Sequence, residues 1–381
     1  THLMRHNAEF KAALEEVDSL LSPRQGWSLL DIFTAPEKHP LAYEHTEKSQ
    51  PLLFAMQVGL VRALAAKGVT PMAVTGHSVG EVAAAWACGA LSLEDAVSVI
   101  HYRSALQERL RDKGGMAVVT APEDRLRELL GDFGDALEVA AVNTDSSFTL
   151  AGESKALRAF VHLCKQQRLA AKMLNLPYPF HTAAMEGIRR DLLDALAHIQ
   201  PRRPNIPFFS TALADAGRHP LLNNEYWWHN IRRPVLFHQA IQNALRQGFL
   251  LYMEIGPKPL LGSYLRDISR KENLRIAFLP TLTSGGDEKT DFATAWKSAW
   301  QTGWTLDAAA LFPLPFSRRE LPLYPWNREH LWFDQTPECR EFLRADKKHP
   351  LLGWRLPGSA PVFENTLSLP DQPWLSDHKA G

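Results

Sequence analysis

The sequence predicts an α/β fold in which a mainly parallel sheet carries a smaller inserted subdomain. Three observations indicate this. A short apolar run, residues 72–74, is predicted to be a strand that leads into the turn Gly76–Gly80, and a helix-compatible run follows, which is the order of elements in parallel sheets. Strand-like and helix-like runs alternate again after residue 182. Between these two parts, residues 116–181 change to a compact order of four strands and two helices.

The turn has the pattern G-x-S-x-G, here Gly76-His77-Ser78-Val79-Gly80. Between a strand and a helix this pattern exposes a serine hydroxyl, as in hydrolase-like folds. The helix N-terminus and the Val79 amide are then available to stabilise an oxyanion. The alternative is that Ser78 only caps the helix, since glycine-rich strand–helix turns are common. A serine nucleophile needs a base, which the rest of the chain must supply.

Composition argues against several classes of function. The 381 residues suggest two or three domains, and 42 basic side chains balance 42 acidic ones, so no net charge attracts nucleic acid or an acidic membrane surface. No apolar run is long enough to span a bilayer, and no signal peptide opens the chain. Cys88, Cys164 and Cys339 form neither a disulfide framework nor a metal motif, which indicates a cytoplasmic protein.

The first 115 residues are predicted to be mainly helical around the strand that leads to Ser78. Residues 7–21 place apolar side chains at helical spacing, and residues 49–66 form a largely apolar helix. Another helix starts after Ser92, with an acid three residues later as in a capping box, and runs to about residue 110. Arg103 lies in the middle of this helix, where a solvated arginine is the ordinary interpretation.

Residues 116–181 are predicted to form the inserted subdomain. Strands are expected at 116–120, 137–142, 147–151 and 171–176, and helices at 122–130 and 153–168. This is the split βαβ order of ferredoxin-like folds. Because the two ends of an insertion must lie close together, His181 at the return point is placed near Ser78. His181 is therefore the candidate base, although a lone histidine is usually a surface or capping residue.

After the insertion, a helix is predicted over residues 183–199. Alternating strands and helices then predict the rest of the parallel sheet, so residues 1–115 and 182–283 form one subdomain. Residues 284–333 are predicted to be an irregular linker, rich in proline, arginine and aromatic side chains that anchor it along a folded surface. Residues 334–381 are predicted to be a separate last segment with short strand-like runs.

Seven ordered stretches resemble the acyltransferase domain of modular polyketide synthases and, more distantly, the malonyl-CoA:acyl-carrier-protein transacylases. They are SQPLLFAMQ, TGHSVGEVAAAWACGALSLEDAV, HYRSALQ, AAVNTDSSFTLAGE, YPFHTAAM, YWWHNIRRPVLF and MEIGPKPLL. The tail LPLYPWNREHLWF is similar to the linker after this domain, and HPLLG and WLSDH are similar to the start of a hot-dog dehydratase domain. The resemblance implies a hydrolase-like subdomain with a ferredoxin-like insertion, an irregular linker and a partial hot-dog segment.

The resemblance also implies roles for single residues. Ser78 would be acylated, and His181 would be the base that activates it and later serves the acceptor thiol. Arg103 would bind the free carboxylate of a dicarboxylic acyl group, which a guanidinium fork does bidentately. The family orients its histidine with a backbone carbonyl instead of a third acid, and the stretch around Lys258 is expected in that region.

The implied reaction is ping-pong acyl transfer. Ser78 attacks the thioester of an acyl-CoA, an acyl-serine forms, and the phosphopantetheine thiol of an acyl carrier protein removes the acyl group. No metal and no bound cofactor are needed. The expected partners are malonyl-CoA or a related acyl-CoA, the carrier protein, and the ketosynthase and dehydratase domains of the same synthase.

The segment Tyr178-Pro179-Phe180-His181 bears on substrate choice. Malonyl users of the family carry H-A-F-H here and methylmalonyl users carry Y-A-S-H, so this chain matches neither fully. Phe180 would fill the space of an α-methyl branch, a discrimination of about 1–3 kcal/mol. Malonyl is therefore the expected extender unit, with methylmalonyl or an unusual unit as the alternative. Tyr178 and His77 are further predicted substrate contacts.

Two departures from the family pattern affect these expectations. The family opens with a strand and a P-G-Q-G-x-Q loop whose glutamine lines the oxyanion hole, and the sequence starts beyond it, at Thr1. Loss of one such donor costs about 100- to 1000-fold in rate. The dehydratase-like piece ends just after His378, so we expect no dehydratase activity from it.

Two other functions stay open from the sequence alone. One is a serine hydrolase such as an editing thioesterase. Arg103 and the lack of a clear Ser…Asp…His order argue against this function. The other is a non-catalytic docking remnant, which the joint presence of Ser78, His181 and Arg103 disfavours.

Overall fold

The computed structural model describes residues 2–213, 219–304, 324–327, 329, 347–356 and 358–377. The chain divides into two units, Thr1–Leu314 and Pro315–Gly381. Most of the regular structure that the model describes lies in the first unit. All residues of the predicted site lie in the first unit as well.

Helices make up most of the first unit. They are α1 (His2–His6), α2 (Ala8–Gln25), α3 (Leu29–Thr34), α4 (Thr46–Ala65), α5 (Gly80–Ala87), α6 (Leu93–Glu108), α7 (Glu123–Gly131), α8 (Ser154–Gln166), α9 (Arg189–Ala195), α10 (Asn224–Arg232), α11 (Phe237–Arg246), α12 (Gly262–Lys271) and α13 (Glu288–Gln301). The predicted cap of α6 is confirmed, because the Ser92 hydroxyl accepts a hydrogen bond from the Asp95 amide. The predicted amphipathic first helix is α2, whose Asn7 cap accepts from the Phe10 amide.

The strands of the first unit form one antiparallel sheet and two parallel pairs. They are β1 (Val74–Thr75), β2 (Gly115–Thr120), β3 (Leu137–Val142), β4 (Ser147–Gly152), β5 (Ala170–Met173), β6 (Phe208–Phe209), β7 (Leu251–Glu254) and β8 (Ala277–Pro280). The antiparallel sheet has the order β3-β4-β2-β5. The parallel pairs are β1 with β6 and β7 with β8.

The inserted subdomain has the predicted ferredoxin-like order of elements, β2-α7-β3-β4-α8-β5. Its own apolar cluster packs the two helices on the sheet, with Leu150, Leu157 and Phe160 fully buried. The two ends of the subdomain meet as expected, since β2 pairs with β5 and the Asp112 amide donates to the Pro177 carbonyl at 2.7 Å. This pairing places the segment after β5 beside the larger part of the unit.

The parallel part agrees with the predicted strand direction but is divided. Among the described residues, β1–β6 and β7–β8 form separate pairs. A cavity of about 1670 Å³ is lined by residues of both β1 and β7 and reaches Ser78. The side chains of β1, β7 and β8 are only half-buried.

Two predicted elements are wrong in their bounds. The single helix expected over residues 183–199 is a 3₁₀ segment, Ala183–Ile188, followed by the short α9. Gly187 interrupts this stretch, and glycine is a poor helix former because it keeps most backbone freedom in the unfolded chain. The strand expected at Met72 starts instead at Val74, and the Met72 side chain is exposed.

The second unit contributes little described structure. Strands β9 (Trp354–Arg355) and β10 (Phe363–Glu364) pair antiparallel, and a 3₁₀ turn covers Pro373–Asp377. The hot-dog segment and the domain boundaries stay predictions. Most of the predicted linker, with Trp332 and Phe333, lies outside the described residues, and so does His378. Within the described ranges, no helix has the length and apolar character that crossing a membrane requires.

The turn before Ser78 depends on Gly76. A Cβ at this residue would lie 2.2 Å from the Glu81 amide nitrogen, and backbone cannot move aside as a flexible side chain can. We expect Gly76→Ala to lower the free energy of unfolding by about 1–3 kcal/mol or more, as overpacking does. Urea denaturation measures this change.

The matched control is Gly80→Ala, at the other glycine of the same motif. A Cβ there meets no atom within 4 Å, and Gly80 begins α5. Because alanine is the better helix former, this variant should be neutral or gain up to about 1 kcal/mol. Equal destabilisation by both variants would contradict the steric argument.

Candidate active site

Ser78 lies on a strained turn between β1 and α5. Its φ is +53°, a left-handed conformation that costs a non-glycine residue about 1–3 kcal/mol and that persists only where the surroundings enforce it. The Gly80 amide donates to the His77 carbonyl and the Glu81 amide to the Ser78 carbonyl, both at 3.1 Å, which closes the turn. The hydroxyl therefore stands at the N-terminal end of α5.

The structure places His181 against Ser78. Its Nε2 lies 2.8 Å from the Ser78 Oγ. His181 also has a positive φ, +64°, in the segment that returns from the inserted subdomain. The Thr182 hydroxyl fixes this segment by donating to the Pro179 carbonyl at 2.7 Å. The predicted proximity of the two residues is thus present in the structure.

The second ring nitrogen of His181 faces a backbone carbonyl. Nδ1 lies 2.9 Å from the Arg233 oxygen, which can only accept, so Nδ1 carries the proton and Nε2 is free to accept from Ser78. The carbonyl that orients His181 therefore belongs to Arg233 and not to the stretch around Lys258, where the sequence placed it. Arg233 follows the last residue of α10 in an extended conformation, which Pro234 after it favours, so its carbonyl is not used by the helix.

His181 is neutral over the physiological range. Burial and, second to it, the charge of the nearby Arg103 lower the pKa of its imidazole to about 3, although the hydrogen bond to the Arg233 carbonyl opposes this shift. An imidazole with such a pKa is unprotonated wherever the protein is folded and active. It can therefore take the proton of Ser78 when Ser78 attacks.

Arg103 is buried beside the same hydroxyl. It is 2% exposed, and its Nη2 donates to the Ser78 Oγ at 2.9 Å. Its other nitrogens donate only to neutral amide oxygens, those of Asn230, Gln50 and Gln107. Within the described part of the chain, no carboxylate forms an ion pair with it. The surface interpretation of Arg103 is therefore wrong, because helix α6 turns this residue inward.

A buried cation with neutral partners is costly. Burial lowers the pKa of the Arg103 guanidinium to about 9, and the charge of Glu81 partly offsets this. Glutamine and asparagine oxygens satisfy its hydrogen bonds but carry no compensating charge. The site therefore has an unpaired positive charge 2.9 Å from the Ser78 hydroxyl.

Four polar residues of this site were not predicted. Gln50 comes from α4, Gln107 from α6 one turn after Arg103, Asn230 from α10, and Glu81 from the first turn of α5. Glu81 is fully buried and bonds the Thr211 amide and the Tyr226 and Asn230 side chains. Of these residues only Glu81, directly after the G-x-S-x-G turn, had a signal in the sequence.

His77 and Val79 flank the serine on opposite sides. The His77 ring is buried, which lowers its pKa, and its Nε2 lies 2.9 Å from Asn143 Oδ1 in the inserted subdomain. This contact links the two subdomains beside Ser78. The Val79 amide donates no hydrogen bond to any described residue, so it remains available at the helix start.

Tyr178 and Phe180 form a stacked pair, and they lie three residues before His181 and directly before it. Their ring centroids are 4.9 Å apart and the planes differ by 4°. Tyr178 is 1% exposed, and its hydroxyl donates to Glu108 Oε2 at 2.8 Å. The Thr46 amide donates to the same hydroxyl at 3.2 Å. Phe180 is therefore held by a ring that is itself anchored on α4 and α6.

Comparison with known proteins identifies the family. A sequence model described as Acyl transferase domain matches residues 1–305. The chain belongs to the acyl transferase domain family. The resemblance predicted from the seven stretches is thereby confirmed, and the alternatives of a hydrolase and of a docking remnant are not supported.

The relatives of this acyltransferase are modular synthases. Pikromycin polyketide synthase component PikAII of Streptomyces venezuelae is 32% identical over 385 residues, which cover 99% of this chain and 10% of that protein. Mycoketide-CoA synthase of Mycobacterium tuberculosis is 34% identical over 367 residues, which cover 92% of this chain and 9% of that protein. The chain thus spans about a tenth of the length of these relatives.

A solved structure confirms the fold class. The acyltransferase domain from module 8 of the salinomycin polyketide synthase superposes with a TM-score of 0.75 at 32% identity, over 80% of this chain and 71% of that one. This agreement covers the hydrolase-like and ferredoxin-like parts together. It does not extend to the predicted hot-dog segment.

The low pKa of His181 predicts how the reactivity of the Ser78 hydroxyl depends on pH. A fluorophosphonate probe should label Ser78 at a rate that is level between about pH 5 and 7.5, because an imidazole with a pKa of about 3 stays neutral there, whereas an unperturbed one titrates near 6.5. A base loses activity as pH falls through its pKa. The rate of labelling against pH measures this directly.

Substitution of Arg103 tests the second cause of the low pKa of His181, the first being burial. Arg103→Met removes the cation that disfavours imidazolium, so the pKa of His181 should rise and the labelling rate should begin to fall at a higher pH. Arg103→Lys keeps the charge and should leave the profile flat. An identical pH profile for the Met and Lys variants would contradict this cause.

Proposed function

We propose that this acyltransferase transfers a dicarboxylic acyl extender unit, malonyl, from CoA through an acyl-serine to the phosphopantetheine thiol of an acyl carrier protein in polyketide biosynthesis. One observation carries the proposal. The Arg103 guanidinium is buried, forms no ion pair with any described carboxylate, and lies 2.9 Å from the Ser78 Oγ. Such a cation fits a substrate with a second carboxylate close to the carbonyl that the serine attacks.

Acylation begins at Ser78. His181 Nε2, which accepts at 2.8 Å, takes the hydroxyl proton as the oxygen attacks the thioester carbon. The Val79 amide at the start of α5 stabilises the oxyanion, together with the positive end of the helix. The C–S bond then breaks, His181 gives its proton to the CoA thiolate, and the acyl-serine remains.

The carboxylate of the acyl group has its own place. Arg103 Nη2 now donates to the Ser78 Oγ, which turns into an ester oxygen on acylation and becomes a weaker acceptor. The two N–H groups of Nη2 are then available to the malonyl carboxylate, because Nε and Nη1 already donate to Asn230, Gln50 and Gln107. The substrate thus supplies a carboxylate in direct contact with the guanidinium, which no described residue does.

Transfer to the carrier runs the same steps in reverse. His181 takes the proton of the phosphopantetheine thiol, the thiolate attacks the acyl-serine, and Ser78 leaves with the proton returned to it. The partners are therefore acyl-CoA and an acyl carrier protein, with the ketosynthase and dehydratase domains in the same synthase.

We place the protein in the cytoplasm, a location that the free thiols of Cys88 and Cys164 support. No bound cofactor enters any step.

The specificity for malonyl rests on Phe180. Its ring is stacked on Tyr178, with the centroids 4.9 Å apart, and the Tyr178 hydroxyl is hydrogen-bonded to Glu108. The Phe180 side chain is therefore held in place beside His181. An α-methyl group on the acyl unit would need this space. Methylmalonyl or a bulkier unit is the alternative, which Tyr178 and Pro179 leave open.

Intact-protein mass after incubation with single acyl-CoA thioesters tests the reaction. Malonyl-CoA should add one malonyl group, and Ser78→Ala should abolish the adduct. Arg103→Met should lower the rate of malonylation by about 10- to 100-fold relative to acetylation, the effect of a lost charge-assisted hydrogen bond. The control Arg109→Met makes the same change at an exposed position just after α6 and should leave the ratio unchanged. Acetylation that exceeds malonylation in the unmodified chain would refute the role of Arg103.

Substitution of Phe180 tests the choice of extender. Phe180→Ser should raise the ratio of methylmalonyl to malonyl adduct about tenfold or more, the discrimination that one methyl group provides. Phe133→Ser, which removes a phenyl ring from the apolar cluster of the inserted subdomain, is the control and should not change the ratio. A chain that already prefers methylmalonyl-CoA would contradict the malonyl assignment.

A further inference from the structure

The fully buried carboxylate behind the nucleophile has no part in the steps above. We propose that Glu81 is a positioning residue, whose carboxylate fixes the orientation of the Asn230 amide and thereby holds both Arg103 and Ser78. Of the two measurements proposed below, only the rate of malonylation rests on the proposed function. The hydrogen bonds that support the inference are present in the protein without substrate.

Every neighbour of the Glu81 carboxylate is a donor. Oε1 accepts from the backbone amide and the hydroxyl of Thr211. Oε2 accepts from the Tyr226 hydroxyl at 2.7 Å and from Asn230 Nδ2 at 2.8 Å. The Thr211 hydroxyl has a second acceptor, the Gly76 carbonyl at 2.9 Å, but the Thr211 amide, the Tyr226 hydroxyl and Asn230 Nδ2 still require an acceptor on both carboxylate oxygens.

Asn230 joins this carboxylate to the reacting groups. Its Nδ2 donates to Glu81 and also to the Ser78 carbonyl, at 2.8 and 3.1 Å. Its Oδ1 accepts from Arg103 Nε at 3.2 Å. Arginine can only donate and an ionised glutamate can only accept, so the amide has one orientation that satisfies all three neighbours.

Each of these contacts acts on a constrained group. The bond to the Ser78 carbonyl holds the residue whose φ is +53°. The bond from Arg103 fixes the guanidinium at Nε, so that Nη2 is directed at the Ser78 Oγ. Glu81 therefore acts on the nucleophile and on the cation through a single amide.

The structure offers no simple packing reason for a charge at this position. Glu81 has no exposed surface, burial raises the pKa of its carboxyl group, and no described basic side chain forms an ion pair with it. Burial of a carboxylate is expensive unless hydrogen bonds compensate for it. A glutamate at this position is explained by the donors on both sides, because both of its oxygens accept hydrogen bonds.

A glutamine at this position would satisfy only one side. The Thr211 amide is backbone and cannot turn, so the glutamine oxygen would face it and the new NH₂ group would face Asn230 and Tyr226. The Tyr226 hydroxyl can rotate, but Asn230 Nδ2 would meet another donor. Asn230 would then flip its amide, which removes the donor to the Ser78 carbonyl and turns an NH₂ group towards Arg103.

The test compares Glu81→Gln with Tyr226→Phe in the full chain, with a fluorophosphonate probe for Ser78 and malonyl-CoA as acyl donor. Glu81→Gln should slow labelling by about tenfold, since hydrogen bonds to charged groups are lost, and should slow malonylation further. Tyr226→Phe removes one hydrogen bond from the same carboxylate but leaves both of its oxygens as acceptors. It should change either rate by less than about threefold.

A double-mutant cycle separates positioning from general stability. If Glu81 acts through Asn230, then Glu81→Gln should have no further effect on labelling in an Asn230→Ala background. Equal slowing of labelling in both backgrounds, or equal slowing by Glu81→Gln and Tyr226→Phe, would overturn the proposal. Because the probe carries no carboxylate, this result stands even if malonyl-CoA is not a substrate, which would refute the proposed function alone.

Discussion

The site depends on one electrostatic constraint, the burial of the Arg103 cation among neutral oxygens beside Ser78. A protein that needed only stability would pair this charge or expose it. Here its charge is balanced only at a distance, by Glu81 behind an intervening amide. Burial and, second to it, the same cation lower the pKa of His181, so its imidazole stays unprotonated and able to accept a proton. In the proposed reaction, substrate binding and activation of the nucleophile thus share a single charged group.

Backbone geometry supports this arrangement from both sides. Ser78 and His181, whose side chains are hydrogen-bonded, are both non-glycine residues with positive φ. The turn at Ser78 is enforced by the close approach of Gly76 to α5, and the turn at His181 by the Thr182–Pro179 hydrogen bond. The inserted subdomain contributes by returning the chain at His181 and by the contact between Asn143 and His77.

The sequence predicted the features that have a local pattern. The turn around Ser78, the cap at Ser92 and the ferredoxin-like order are all encoded within short stretches, and the return of the insertion placed His181. It did not predict Asn230 or the Arg233 carbonyl, because amides and carbonyls occur throughout a chain and act here through contacts distant in sequence. The single helix predicted after His181 is not formed. The apolar spacing continues through Gly187, but glycine has a low helix propensity and the segment there is a 3₁₀ helix.

The most direct test of the central claim is calorimetric binding of acyl-CoA to Ser78→Ala, which cannot be acylated. Malonyl-CoA and acetyl-CoA differ only in the carboxylate that Arg103 is proposed to bind. The account predicts that malonyl-CoA binds more tightly by about tenfold or more, and that Arg103→Met in the same background removes the difference. Equal affinities for the two thioesters in Ser78→Ala would contradict it.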